Sequence, residues 1–208
     1  MLWEPGRQIS PLSGVQTAVE WCCLTGSTLR YHLLSNPSAR AVGMDVLPEG
    51  MIRRALGREL PSDRREDCLR RFVYIRQDIR LLTLEAFDAM LTEHMGMCAH
   101  EVDHIHAGWP CTTTSKASTQ TPRKRGFIPH RWPDGRPRSQ RAEVDDALLE
   151  NIVELFLAVQ HKAPHMLLTL ENPENDVLLR LRPIQRLQAA GWLVLRGSHC
   201  KAASSQLD

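Results

Sequence analysis

The stretch Gly14 to Leu34, GVQTAVEWCCLTGSTLRYHLL, decides how the chain is read. Its apolar run ends at Cys23, Thr25-Gly26-Ser27 follow as a tight turn, and Thr28 to Leu34 has helical spacing, so it reads as strand, turn, helix. The same alternation continues outward. Ala39 to Val46 is a compact strand with Asp45 at its end, and beyond a polar, Arg-rich stretch Phe72 to Ile75 is a third, with Asp78 just past it. Leu81 to Met95 has apolar residues at helical spacing, and Val102 to Ala107 is a fourth strand that delivers Gly108, Trp109, Pro110 and Cys111 at its carboxyl end. From Glu143 the pattern is strongly helical, with Leu148, Ile152, Leu155, Phe156 and Val159 on one face. Met166 to Leu170 reads as a buried strand ending in Glu171-Asn172-Pro173, Asp176 to Ala190 as a helix that Pro183 kinks or delays, and Trp192 to Leu195 as a sixth strand. This alternation predicts an α/β fold, a mostly parallel sheet with helices on both faces and ligands outside the carboxyl ends of its strands.

With 208 residues, 42% of them hydrophobic and 24% charged, the chain reads as one globular domain over 1–208 that can bury a core without disulfides or a structural metal. No run approaches the ~20 apolar residues of a membrane span, so no membrane partner is expected, and Met1 to Ser10 lacks the order of a signal peptide. The six cysteines, Cys22, Cys23, Cys68, Cys98, Cys111 and Cys200, show no repeated CxxC spacing, which suits a reducing compartment, cytoplasm or nucleus. His94, Cys98, His100, His104 and His106 lie close together, yet one strand cannot turn them all toward one ion, and no metal is expected. Cys22 and Cys23 read as small core residues, and Trp21 and Trp109 as packing residues.

The formal net charge of +2 hides an asymmetry. From Arg123 to Arg141 seven Lys or Arg stand against one acid, a local charge of +6 that leaves −4 for the rest. They belong to a basic loop at about 112–142, rich in Thr, Ser, Pro and Arg, whose length marks it as functional or disordered. Arg123, Lys124, Arg125, Arg131, Arg136, Arg138 and Arg141, with Phe127 and Trp132 among them, suit phosphate contacts beside a stacking side chain. By charge alone a solvated insertion fits as well.

Gly26, Asp45, Asp78, Cys111 and Glu171 each fall at or just beyond the end of a predicted strand. A glycine in the first turn admits a close backbone approach, and an acid after the second strand can accept both hydroxyls of a ribose. Each alone is as readily a turn former or a helix cap. The first turn lacks GxGxxG, which counts against a nicotinamide-dependent oxidoreductase.

Taken in order, these residues resemble the cytosine C5-specific DNA methyltransferases, in particular their phage-like and mobile-element-like branch, from about Val15 onward. Glu20-Trp21-Cys22-Cys23-Leu24-Thr25-Gly26-Ser27 resembles the family's first motif, with Leu24 where its first glycine falls. Ala107-Gly108-Trp109-Pro110-Cys111-Thr112-Thr113-Thr114-Ser115 is similar to its Pro-Cys nucleophile motif, and Glu171-Asn172-Pro173 to its Glu-Asn motif. The resemblance implies a Rossmann-like class I fold that uses S-adenosylmethionine, held by Glu20, Gly26, Ser27, Asp45 at the ribose, and Asp78 and Ile79 at the adenine. It implies catalysis by Cys111 and Glu171, with Pro110 and Asn172 beside them, on cytosine in DNA, with cytosine in RNA as the nearest alternative.

The chemistry accounts for these residue types. Carbon 5 of cytosine is a poor nucleophile until a thiolate adds to carbon 6, and Cys111 would supply that thiolate. Glu171 would hold the base at N3 and its exocyclic amine, and the target must leave the duplex before the thiol can reach it. Loss of the carbon 5 proton needs a base that the sequence does not single out. Family members continue into motifs that complete the sheet and supply a target-recognition region, and none is visible here. Two expectations follow: an enzyme that takes target recognition from a partner or a missing segment, or an inactive, truncated methyltransferase-like module that binds nucleic acid or cofactor without turnover.

Overall fold

The computed structural model describes residues 2–3, 14–23, 26–109, 113, 130–132, 134–171 and 178–194. The apolar runs become strands β1 (Leu2–Trp3), β2 (Thr17–Trp21), β3 (Arg40–Asp45), β4 (Phe72–Arg76), β5 (His104–Gly108), β6 (Leu167–Glu171) and β7 (Leu193–Val194). They form one sheet in the order β4-β3-β2-β5-β6-β1-β7. Strands β2 to β6 are parallel, and β1 runs antiparallel to both β6 and β7. The chain winds outward from β2 through β3 to β4, then returns to the other side of β2 as β5. That is the doubly wound, Rossmann-like order, with its switch point between β2 and β5.

The helices are α1 (Ser27–Ser35), α2 (Glu49–Glu59), α3 (Arg65–Arg70), α4 (Leu84–Met95), α5 (Gln140–Lys162) and α6 (Arg182–Ala189). Helices α2 and α3 occupy the Arg-rich stretch that carried no element in the sequence reading, because Ile52 and Leu56 bury one narrow stripe amid exposed charge. Helix α5 begins three residues earlier than its apolar pattern, where the Ser139 hydroxyl caps the Ala142 N–H at 3.2 Å. Of the helix expected over 176–190, a 3-10 turn at Leu178–Arg180 precedes α6, which starts late with Pro183 in its first turn.

The two sheet faces bury different chemistry. On one, Val19, Trp21, Val42, Met44, Ile105, Ala107, Leu168 and Leu170 pack against α4, α5 and α6. There Phe156 lies between Trp21 and Trp192, with ring centroids 5.3 and 5.4 Å away. On the other, Leu29, Leu33, Ile52 and Leu56 of α1 and α2 cover Ala18, Ala41 and Phe72. The register sets Glu20 beside His106, and His106 beside Thr169, on that second face.

Candidate active site

The carboxyl ends of β2 and β5 diverge at the switch point, and a cavity of about 670 Å3 opens there, lined by Glu20, Asp45, Asp78, Ile79, His106 and Glu171 among others. Small-molecule sites occupy this size range and this position in open α/β sheets.

The turn after β2 builds one wall. Cys22 leaves the strand in a left-handed conformation, φ 57°, with its N–H donating to the Met44 carbonyl at 2.8 Å. Gly26, also left-handed, opens α1 and puts Ser27 at the cavity; a Cβ on Gly26 would stand 3.3 Å from Leu56 Cδ1, so the turn has little room for a side chain. Beneath it Glu20 Oε2 accepts the Leu29 N–H at 3.1 Å. Burial pushes the Glu20 carboxyl up to about 8, with the charges of Glu171 and Asp45 adding to the rise, against the lowering effect of the Leu29 and Thr28 backbone donors. It is therefore largely a neutral acid at pH 7. Both Cys22 and Cys23 pack with the core as read from the sequence and both also border the cavity, Cys23 buried and Cys22 half-buried with a thiol that burial raises to about 12.

Asp45 ends β3, buried, with Oδ1 accepting the Leu47 N–H at 3.1 Å. Asp78 follows β4 and caps a short turn by accepting the Arg80 N–H at 3.0 Å. The Arg80 guanidinium closes on the same carboxylate at 2.5 Å and holds its carboxyl below the usual range. Ile79 is buried next to it, its carbonyl accepting Asn151 Nδ2 of α5.

Strands β5 and β6 bring the other two motifs together. Gly108 pairs with Glu171 in register, and the Trp109 N–H donates to the Glu171 carbonyl at 3.3 Å. Trp109 is both core and cavity wall, its Nε1 donating to the Asp145 carbonyl at 2.8 Å, while Trp21 is wholly core. Pro110, Cys111 and Asn172 lie outside the described residues. Thr113, just beyond them, donates to Asp145 Oδ2 at 2.6 Å.

The histidines are divided. His106 Nδ1 and His104 Nε2 both meet the Thr169 hydroxyl at 2.8 Å, and His104 Nδ1 meets His32 Nε2 of α1 at 2.8 Å. Burial, with the neighbouring His32 and His106, keeps His104 well below the ordinary histidine value. This buried chain reaches the cavity at His106, whereas His94 lies in the last turn of α4, and Cys98 and His100 belong to the turn after it. Among the described residues no three His, Cys, Asp or Glu gather to hold a metal ion, and no described helix is long and apolar enough to cross a membrane.

The basic loop departs from the sequence reading at Arg131. Expected to face phosphates, it is buried: its Nη2 pairs with Asp146 Oδ1 at 2.5 Å, its Nη1 reaches the Gly135 carbonyl at 3.0 Å, and its guanidinium lies 5.8 Å over the Trp109 ring. A guanidinium enters the interior only with such a carboxylate and acceptors, and Asp146 supplies the charge. Arg136 is exposed and pairs with Asp134 at 2.7 Å, Arg138 is exposed over the Trp132 ring, and Arg141 borders the cavity from α5. Arg123, Lys124 and Arg125 lie outside the described residues.

S-adenosylmethionine fits this donor set. Asp45 stands where an acid meets ribose hydroxyls, Ile79 offers an apolar wall to an adenine, and the tight Gly26 turn lets backbone and the Ser27 hydroxyl approach the remainder. Asp78 fits less simply, since Arg80 already engages both of its oxygens.

No family model matches the chain, and no curated protein does. Its structure is similar to that of an O-methyltransferase family protein from Burkholderia thailandensis, at 12% identity and a TM-score of 0.38 over 71% of this chain and 31% of that one. It is similar to PKMT2 from Rickettsia typhi in complex with AdoHcy, at 16% identity and 0.33 over 69% and 19%. It is also similar to the aminoglycoside resistance methyltransferase NpmB1, at 11% identity and 0.39 over 95% and 83%. The chain thus spans under a third of the first two proteins. The fold is α/β and Rossmann-like, a statement that the strand order of this chain carries by itself.

Proposed function

We propose that the chain is an S-adenosylmethionine-dependent methyltransferase acting on carbon 5 of cytosine in DNA, with Cys111 as nucleophile and Glu171 as the group that holds the base. One observation supports this above the others. Parallel pairing of β5 and β6 ends the strand that leads to Pro110-Cys111 beside Glu171, at a cavity whose opposite side carries Asp45 and Asp78.

Bound in that cavity, S-adenosylmethionine would supply an electrophilic methyl group. Asp45 would accept its ribose hydroxyls, Ile79 would pack on the adenine beside Asp78, and Glu20, Gly26 and Ser27 would form the floor and turn against the rest. Cys111, as thiolate, adds to carbon 6 of cytosine, and the electron pair of the 5,6 double bond becomes available at carbon 5. Glu171 hydrogen-bonds the ring edge and stabilises charge developing there, with Asn172 and Pro110 shaping the pocket. Carbon 5 would then take that methyl group as its bond to the sulfonium sulfur breaks, leaving S-adenosylhomocysteine, and loss of the carbon 5 proton to water or another base would expel the thiolate and restore the double bond. Exposed Arg136, Arg138 and Arg141, with Arg123, Lys124 and Arg125, would meet the phosphate backbone.

The test compares two variants by methyl incorporation into duplex DNA and by cofactor calorimetry. Cys111→Ser should abolish incorporation with cofactor affinity intact, and Asp45→Ala should weaken the cofactor about 10- to 100-fold, as expected for a lost hydrogen bond to a charged group. Incorporation that survives Cys111→Ser would refute the nucleophile, and cofactor binding without turnover in the wild type would leave a binding module.

A further inference from the structure

We propose that the turn at 130–138 is a nucleobase-stacking platform beside the cavity, with the Trp132 ring as its surface and Arg138 as the cation that steadies the ring and meets the adjoining phosphate. This deepens the nucleic-acid reading above and rests on it.

Backbone hydrogen bonds brace the described residues of this turn. The Trp132 N–H donates to the Arg136 carbonyl at 3.0 Å, the Gly135 N–H to the Trp132 carbonyl at 2.9 Å, and the Arg138 N–H to the His130 carbonyl at 2.8 Å. Arg131 bridges to Pro137, and Gly135 takes the left-handed conformation, φ 91°, that lets the chain reverse. Arg131 is the anchor: its side chain is 1% exposed, paired through both terminal nitrogens with Asp146 on α5 and lying over Trp109, which lines the cavity. The one arginine of this turn that turns inward thus fixes the turn next to the cavity.

Trp132 remains 44% exposed on that anchored turn, with the Arg138 guanidinium 4.4 Å from its ring centroid. A lone exposed aromatic needs no explanation, but this one is held by a cation, on a turn fastened to the cavity wall, with exposed Arg136 and Arg141 nearby in the chain. With the Arg138 guanidinium over one side of the ring, the exposed remainder of the Trp132 π-surface matches an unstacked base, and every base has such a face. The ligand class is therefore a nucleotide displaced from, or lacking, a duplex partner. That chemistry is common to DNA and RNA.

The experiment measures affinities of the full chain for fluorescein-labelled single-stranded DNA, single-stranded RNA and duplex DNA with one mismatched cytosine, in wild type, Trp132→Ala, Trp132→Phe and Arg138→Gln. Trp132→Ala should weaken binding roughly five- to a hundredfold, as loss of one base stack does, and Trp132→Phe should recover most of it. Arg138→Gln should lower the slope of log affinity against log salt by about 0.7 to 0.9, one phosphate contact. Cofactor affinity, unchanged in all variants, serves as the check on folding. A loss confined to RNA would support the platform and assign it to RNA. Wild-type binding that Trp132→Ala leaves within about twofold would overturn the platform alone. Absence of wild-type binding to all three probes would overturn it together with the nucleic-acid reading.

Discussion

The two faces of the sheet differ in what they bury. Toward α4, α5 and α6 the buried strand positions are apolar except Thr17 at the start of β2, and Trp21, Phe87, Phe156 and Trp192 form a contiguous aromatic group. Toward α1 the same strands present Glu20, His104, His106 and Thr169, all buried. The first face loses stability only if a side chain is removed. The second holds groups that cost stability unless each finds a partner, and the partners run in a chain from His32 to the cavity. The apolar face carries the domain, and the polar face shapes the chemical environment of the site.

Three substitutions test this contrast. Phe156→Ala removes the ring between two tryptophans and should destabilise the domain by about 3–5 kcal/mol in chemical denaturation, with a smaller loss contradicting the assigned role of that face. Glu20→Gln should change stability in a pH-dependent way. Because the folded carboxyl titrates at about 8 and the unfolded one at 4.5, wild type is unpenalised below about pH 4.5, loses stability as pH rises toward 8, and levels off above it. The variant should come close to wild type near pH 5 and exceed it by about 4 kcal/mol near pH 8; a difference independent of pH would show that Glu20 folds ionised. Thr169→Val keeps the shape but strips His104 and His106 of their shared partner, at a cost of about 2 kcal/mol, which Thr169→Ser should recover. A neutral Thr169→Val would mean that the histidines need no such partner.

What was legible in the sequence followed from strand ends. The apolar runs located five parallel strands, and residues just past them, Asp45, Asp78 and Glu171, line one cavity because parallel strands end on one edge. What was not legible depended on distant partners. Arg131 carries the same charge as its neighbours, and only Asp146, fifteen residues on and brought close by α5, turns it inward. Cys22 has a positive φ without the glycine that usually signals one. The near-neutral titration of Glu20 comes from burial under α1, which local sequence does not encode. Strand β1, two residues paired with β6 and β7, is too short to show a period.

Whether the strand ends gather a cofactor and a nucleophilic thiol is decided by a trap. The chain is incubated with S-adenosylmethionine and duplex DNA carrying 5-fluorocytosine, where fluorine blocks only the final elimination, and the products are denatured and mapped by mass spectrometry. A denaturant-resistant, methylated adduct on Cys111, abolished by Cys111→Ser, is the expected result. An adduct on another residue, or none although calorimetry shows the cofactor bound, would contradict it.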